Sequence, residues 1–180
     1  ITLLIDAGGV GINLEDGKAP HELHLKKIEA ARNAGERAGV KLFINARTDV
    51  YLKKLVPPEQ ALEETMRRGW ACKEAGASGL FVPGVADAKQ ISAIAQEVDI
   101  PLNIIAMPGV PKAAELKALG ARRLSGATRV FGAAMNAARA ATEAFLRDGD
   151  SDALTKAQGT PPNWSCCAMR FLVAVAMVWP

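Results

Sequence analysis

The sequence predicts an α/β fold, part of a (β/α)8 TIM barrel, on three observations. Short apolar runs alternate five times with stretches of helical periodicity. Three helix-to-strand joints share one form, Ala38-Gly39-Val40, Ala75-Gly76-Ala77 and Leu119-Gly120-Ala121, in which glycine supplies the left-handed cap that ends a helix. Charged groups gather at the ends of the apolar runs, Glu15-Asp16 and Arg47-Thr48-Asp49, and a barrel keeps its active site at the carboxyl ends of its strands. Apolar strands separated by helices mean a parallel sheet covered by those helices. An open doubly wound sheet is equally consistent with five units, but the regular order without a long crossover favours the barrel. Five units cannot close eight strands, so about three are missing at the front.

The elements follow in order. Ile1 to Gly8 reads as the last turn of a helix closed by glycine, so the chain begins in mid-pattern, without an initiator Met, and its N-terminus reads as cut. Val10 to Glu15 is the first strand. Residues 21–38 carry a helical stripe (Leu25, Ile28, Ala31, Ala34, Ala38) that stops at Gly39. Lys41 to Thr48 is the second strand, and Pro57-Pro58 opens a helix, where proline is tolerated, that runs to Ala75. Ser78 to Val82 is the third strand, followed by a helix from Asp87 to Val98. Leu102 to Ala106 is the fourth, with a helix from Pro111 to Leu119. Ala121 to Ser125 is the fifth, and a long Ala-rich helix runs on to Arg147. Residues 1–147 are thus expected to form the C-terminal part of a (β/α)8 barrel, and residues 148–180 a linker and an atypical apolar tail. The polar, flexible linker covers 148–163. In the tail, Phe171 to Trp179 is apolar throughout but far short of the roughly 20 residues that span a bilayer. A core-docking helix, an element swapped onto a partner and a frame-shifted end all remain open for it.

Composition removes several function classes. With 180 residues, 49% hydrophobic and 23% charged, the chain can bury a real core. The net charge of +3 is mild, the basic residues are scattered and aromatics reach only 5%, which argues against nucleic acid as a partner. No membrane partner is expected. Cys72, Cys166 and Cys167 have no metal-ligand spacing, and reduced thiols in a cytoplasmic protein fit them better than a disulfide framework.

The strand ends carry the chemistry. Glu15 could hold Mg²⁺ directly or through water, since hard oxygen ligands suit that ion; a solvated turn capping the next helix is the alternative for Glu15-Asp16. Arg47, among Phe43 and Ile44, suits a carboxylate or phosphate gripped bidentately, or a structural ion pair with Glu15 or Asp49. Asn13 and Asn45 alternate with apolar residues, as groups pointing into the barrel or as satisfied core amides. Asn103 is another polar residue in an apolar strand, and Pro83-Gly84 and Pro108-Gly109 make turns at the same rim. His21 and His24 could share a metal, though a solvated helix face is the simpler reading. Gly8-Gly9-Val10-Gly11 precedes its strand and is no dinucleotide fingerprint. Ser125 has no histidine placed as its base.

Taken together, Gly11 to Gly17, Phe43 to Tyr51, Ala75 to Gly84, Pro101 to Gly109 and Leu119 to Ser125 resemble the isocitrate lyase/phosphoenolpyruvate mutase superfamily, in order and spacing over residues 1–147. The resemblance implies a Mg²⁺-dependent barrel of which this chain supplies about strands four to eight, and a homo-oligomer that often exchanges its last helix. It implies that Glu15 stands in the water-linked shell of the metal. Arg47 would be the catalytic clamp on the substrate's carboxylate or phosphonate, with Asn103 near a substrate-facing position; Asn45, placed by strand alternation, is the further substrate-binding candidate. Lys18-Ala19-Pro20-His21 stands where the lyase branch has Lys-Cys-Gly-His, and Pro83-Gly84 where lyases offer a glutamate, so the implied branch is mutase-like. The implied reaction makes or breaks a C–C or P–C bond in a small 2-oxo or 2-hydroxy carboxylate through an enolate-like anion. A catalytically inactive fragment and a decarboxylase or phosphonopyruvate hydrolase activity are the alternatives.

Overall fold

The computed structural model describes residues 1–158 and 176–178. The elements run α1 (Thr2–Asp6), β1 (Gly11–Glu15), α2 (His21–Arg37), β2 (Phe43–Arg47), a 3-10 turn (Pro58–Gln60), α3 (Ala61–Glu74), β3 (Gly79–Phe81), α4 (Ala88–Val98), β4 (Leu102–Ile105), α5 (Ala113–Ala118), β5 (Ala121–Ser125), α6 (Arg129–Asp148), α7 (Ser151–Gln158) and β6 (Ala176–Val178). The sheet order is β1-β2-β3-β4-β5-β6, following the chain, and the β1–β2, β2–β3 and β3–β4 pairs are parallel. A doubly wound sheet reverses its order at a switch point, whereas a barrel adds each strand beside the last. The fold is therefore α/β, part of a (β/α)8 barrel.

Alternation sorts each strand into two faces. Ile44 and Ala46 pack with Ile28, Ala31, Leu42 and Cys72. Leu80, Leu102 and Ile104 pack with Ile91, Ile94, Val98 and Leu116. Each such buried Leu or Ile contributes roughly 1.5–3 kcal/mol of transfer free energy. The even-numbered residues of β1 to β4 thus bind the helices, and Asn13, Glu15, Asn45, Arg47, Phe81 and Asn103 are left to the concave face.

The joint glycines do what the sequence requires of them: Gly39, Gly76 and Gly120 take φ of 67°, 98° and 94°. At Gly76 space matters as well, because an added Cβ would meet Arg32 Cγ at 3.1 Å. Arg32 uses that approach to bond Gly76 O, Leu42 O and Ser78 Oγ, stapling α2 to two strand entries. Asp87 caps α4 by accepting from Gln90 N at 2.9 Å.

Two compact units divide the chain, residues 1–124 with 177–180, and residues 125–176. The second unit places α7 inside the stretch read as a flexible linker. Ala, Leu, Lys and Gln there are good helix formers, and Asp152 and Lys156 approach to 3.7 Å one turn apart. The readings offered for the apolar tail lie outside the described residues except at Ala176–Val178, which form a strand.

Candidate functional site

At the carboxyl ends of β1 and β2 the register sets Glu15 opposite Arg47, and Arg47 Nη1 lies 3.0 Å from Glu15 Oε2. The same guanidinium donates Nε to Asp49 Oδ1 at 2.7 Å and Nη2 to Asp49 Oδ2 at 3.3 Å. Its carbon stands 5.6 Å from the centre of the Phe81 ring, a cation–π approach. Lys53 Nζ adds a third contact to Asp49, at 2.7 Å. Asp49 is wholly buried while the Glu15 side chain is 53% exposed, so the two carboxylates differ in kind. Burial works to raise the Asp49 pKa, but hydrogen bonds from Arg47 and Lys53 outweigh it and hold the carboxyl below its ordinary range. Asp49 fixes the arginine from behind; Glu15 meets it from the solvent side.

Behind this rim Asp16 is an anchor. Its Oδ2 accepts from Thr48 Oγ1 at 2.7 Å and from Arg68 Nη1 at 2.8 Å, and its Oδ1 from Asp49 N at 2.9 Å. Arg68 also donates Nε to Glu64 at 2.6 Å. The solvated turn considered for Glu15-Asp16 therefore fits only Glu15, because Asp16 is buried and tied to the β2 loop and α3.

The other expected residues fall on the same concave face. Asn45 is buried and donates its amide to Asn13 Oδ1 at 2.9 Å. Asn103, also buried, stands opposite Phe81 on β4. A cavity of about 180 Å³ lies nearer the amino ends of the strands, lined in part by Asn13, Phe43, Asn45 and Arg123. It does not include Arg47. His21 and His24 are not on a solvated face: both are buried, at the head of a stripe that continues through Ile28, Ala31 and Gly35. Sequence reasoning offers Asp49 as an ion-pair partner of Arg47, which the structure shows, and passes over Lys53 and Phe81. The Asp49–Lys53 spacing of one helical turn was the available signal.

No helix among the described residues is long and apolar enough to cross a membrane.

The family model described as phosphoenolpyruvate phosphomutase matches residues 1–146. An uncharacterised protein of Mycobacterium tuberculosis is 30% identical over 145 residues, covering 78% of this chain and 52% of that protein. The chain thus spans about half the length of the curated relatives it matches. Among solved structures, a candidate lyase/mutase from Burkholderia cenocepacia J2315 superposes with a TM-score of 0.78 at 30% identity, over 90% of this chain and 59% of the other. A candidate phosphonomutase from the same organism gives 0.71 at 35%, over 83% and 61%. The 2,3-dimethylmalate lyase, described as a member of the PEP mutase/isocitrate lyase superfamily, gives 0.67 at 27%, over 78% and 51%. The concave face, the paired strand ends and these matches agree, and the chain belongs to the phosphoenolpyruvate mutase/isocitrate lyase superfamily.

Proposed function

We propose that the complete protein is a Mg²⁺-dependent enzyme of the lyase/mutase type. It would make or break a C–C or P–C bond in a small 2-oxo or 2-hydroxy carboxylate or phosphonate through an enolate-like anion. The carrying observation is the convergence of Glu15 and Arg47 at 3.0 Å on the concave face, in a chain of this family.

The residues present fit the part of a Mg²⁺ site they would supply. Glu15 offers a hard, half-exposed carboxylate, suited to an ion that keeps several waters. Asp16 is not counted toward this site, since it is buried behind the rim and tied to the β2 loop and α3. When bound, the ion supplies a Lewis acid for the oxyanion. Arg47 does the positioning. With Nε and Nη2 held by Asp49, its Nη1 is aimed where Glu15 now sits, and a substrate carboxylate or phosphonate takes that place. Lys53 keeps Asp49 compensated while this exchange occurs. Asn45 and Asn103 present amides deeper on the same face. Exposed Phe131, Met135 and Leu146 on α6 support a homo-oligomer formed through that helix.

The test is calorimetric titration of the complete protein with oxalate, an enolate mimic, at saturating Mg²⁺. Arg47→Ala should weaken binding by about 10- to 100-fold, the scale of a lost charge-assisted hydrogen bond, with the far-ultraviolet spectrum unchanged. Oxalate binding indifferent to Arg47→Ala would discard the reading.

A further inference from the structure

Directly behind the rim, at the first turn of α2, three ligand-type side chains meet in the protein interior. One oxygen of Asp16 and one nitrogen each of His21 and His24 lie within 4.8 Å of one another, and all three residues are buried. His21 is only 8% exposed, and neither of its ring nitrogens has a hydrogen-bond partner among the described residues. A buried imidazole without a partner is costly, and such a group calls for an explanation. His24 is prepared in the complementary way. Its Nε2 lies 3.0 Å from Leu14 O, which can only accept, so the proton is on Nε2 and the lone pair on Nδ1. A carbonyl on one ring nitrogen that frees the other is the usual setting of a metal-bound histidine. The Cys72 sulfur stands 3.8 Å from that Nδ1, a weak thiol contact that an ion at Nδ1 would displace.

We propose that Asp16, His21 and His24 form a site for a borderline divalent cation of the Zn²⁺ type, distinct from the Mg²⁺ site at Glu15. Two imidazoles and a carboxylate are a ligand set Zn²⁺ favours and Mg²⁺ does not. Arg68 is paired with both Asp16 and Glu64, so the carboxylates beside the three ligands outnumber that arginine. The role is structural. The ion would lock the β1–α2 loop to Asp16, which holds Thr48 Oγ1 and Asp49 N and hence the residue that orients Arg47.

The test uses the complete protein, stripped with chelator and titrated with Zn²⁺ in millimolar Mg²⁺, so that a hard oxygen site is already filled. One equivalent should bind, and the thermal midpoint should rise with it. His21→Ala and His24→Ala should each weaken binding by at least the ~10–100-fold typical of losing even a supporting group. Glu15→Gln should leave it unchanged, which separates this site from the proposed catalytic one. Should either histidine variant fail to fold, Co²⁺ added to the unmodified protein gives the same answer: intense visible bands of a four-coordinate ion support the site. No saturable uptake of Zn²⁺, uptake indifferent to both histidine variants, or only the weak bands of six-coordinate Co²⁺ would overturn it.

Discussion

Replacing Asp49 by Asn separates the two carboxylates that share Arg47. Both lie within 3.0 Å of the guanidinium, so distance alone assigns them equal weight. Burial does not. Asp49 is wholly buried and receives Arg47 Nε, Arg47 Nη2 and Lys53 Nζ, whereas Glu15 receives one nitrogen in a half-exposed position. Asparagine keeps one accepting oxygen but turns an NH₂ toward a cation, so at least one charge-assisted bond of about 1.5–3 kcal/mol is lost. Removing one member of a buried pair costs about 3–5 kcal/mol, and Glu15 remains as a counter-charge, which sets the expectation for Asp49→Asn near 3 kcal/mol. Glu15→Gln breaks an exposed pair and should cost under about 1 kcal/mol. Urea unfolding at pH 7, with an unchanged slope, reads both as midpoint shifts. The Asp49 pKa lies below its ordinary 3.8 in the folded protein, so its contribution is present above that pH and fades below it. The gap between wild type and Asp49→Asn should therefore narrow in acid. Equal costs for the two variants at pH 7 would refute the division of labour.

Two other groups report on the surroundings by titration. Hydrogen bonding from Arg67 holds the Glu64 carboxyl down at about 2 against an ordinary 4.5; the folded value is the lower one, so the stability it contributes is complete above about pH 4.5 and lost as pH falls toward 2. Glu64→Gln should accordingly abolish about 1 kcal/mol of that acid sensitivity, measured by urea midpoints at pH 7 and 3, after discounting for its partial exposure. Tyr51, the single tyrosine of the sequence, has its phenol pushed up to about 12 by burial and then by the charge of Asp87. Ultraviolet titration should find phenolate absorbance rising near pH 12, and a midpoint at the ordinary 10 would mean that the packing of Tyr51 against α4 is wrong.

The elements were legible because alternation and helical periodicity are local signals. The paired strand ends were legible because charge at the end of an apolar run has few places to go. What stayed hidden was long-range. Asp16 and Arg68 are 52 residues apart, and nothing near either announces the other. The two histidines are the instructive failure. They continue the Ile28, Ala31, Gly35 stripe backward by its own spacing, which alone placed them on the buried face. The lack of a third His or Cys nearby in sequence, which favours a solvated face, says nothing about that pattern. A polar residue in register with an apolar stripe is better read as buried and in need of a partner.

On the proposed reading, charge balance makes Glu15 the member of the rim that an incoming substrate displaces. Arg47 and Lys53 are matched by Asp49 and Glu15, so the rim carries no net charge. Asp49 cannot leave, since it is buried and would abandon two cations. Glu15 can, because its far side is already in water. A small dianion reaching Arg47 then displaces Glu15 and leaves that carboxylate beside added negative charge, an arrangement that becomes favourable when a divalent cation neutralises both. In the proposed reading, oxalate binding should therefore weaken sharply when Mg²⁺ is withheld from the wild type. Glu15→Gln, which removes the competing carboxylate, should bind oxalate without Mg²⁺ better than the wild type does, even as it loses part of the gain that Mg²⁺ confers.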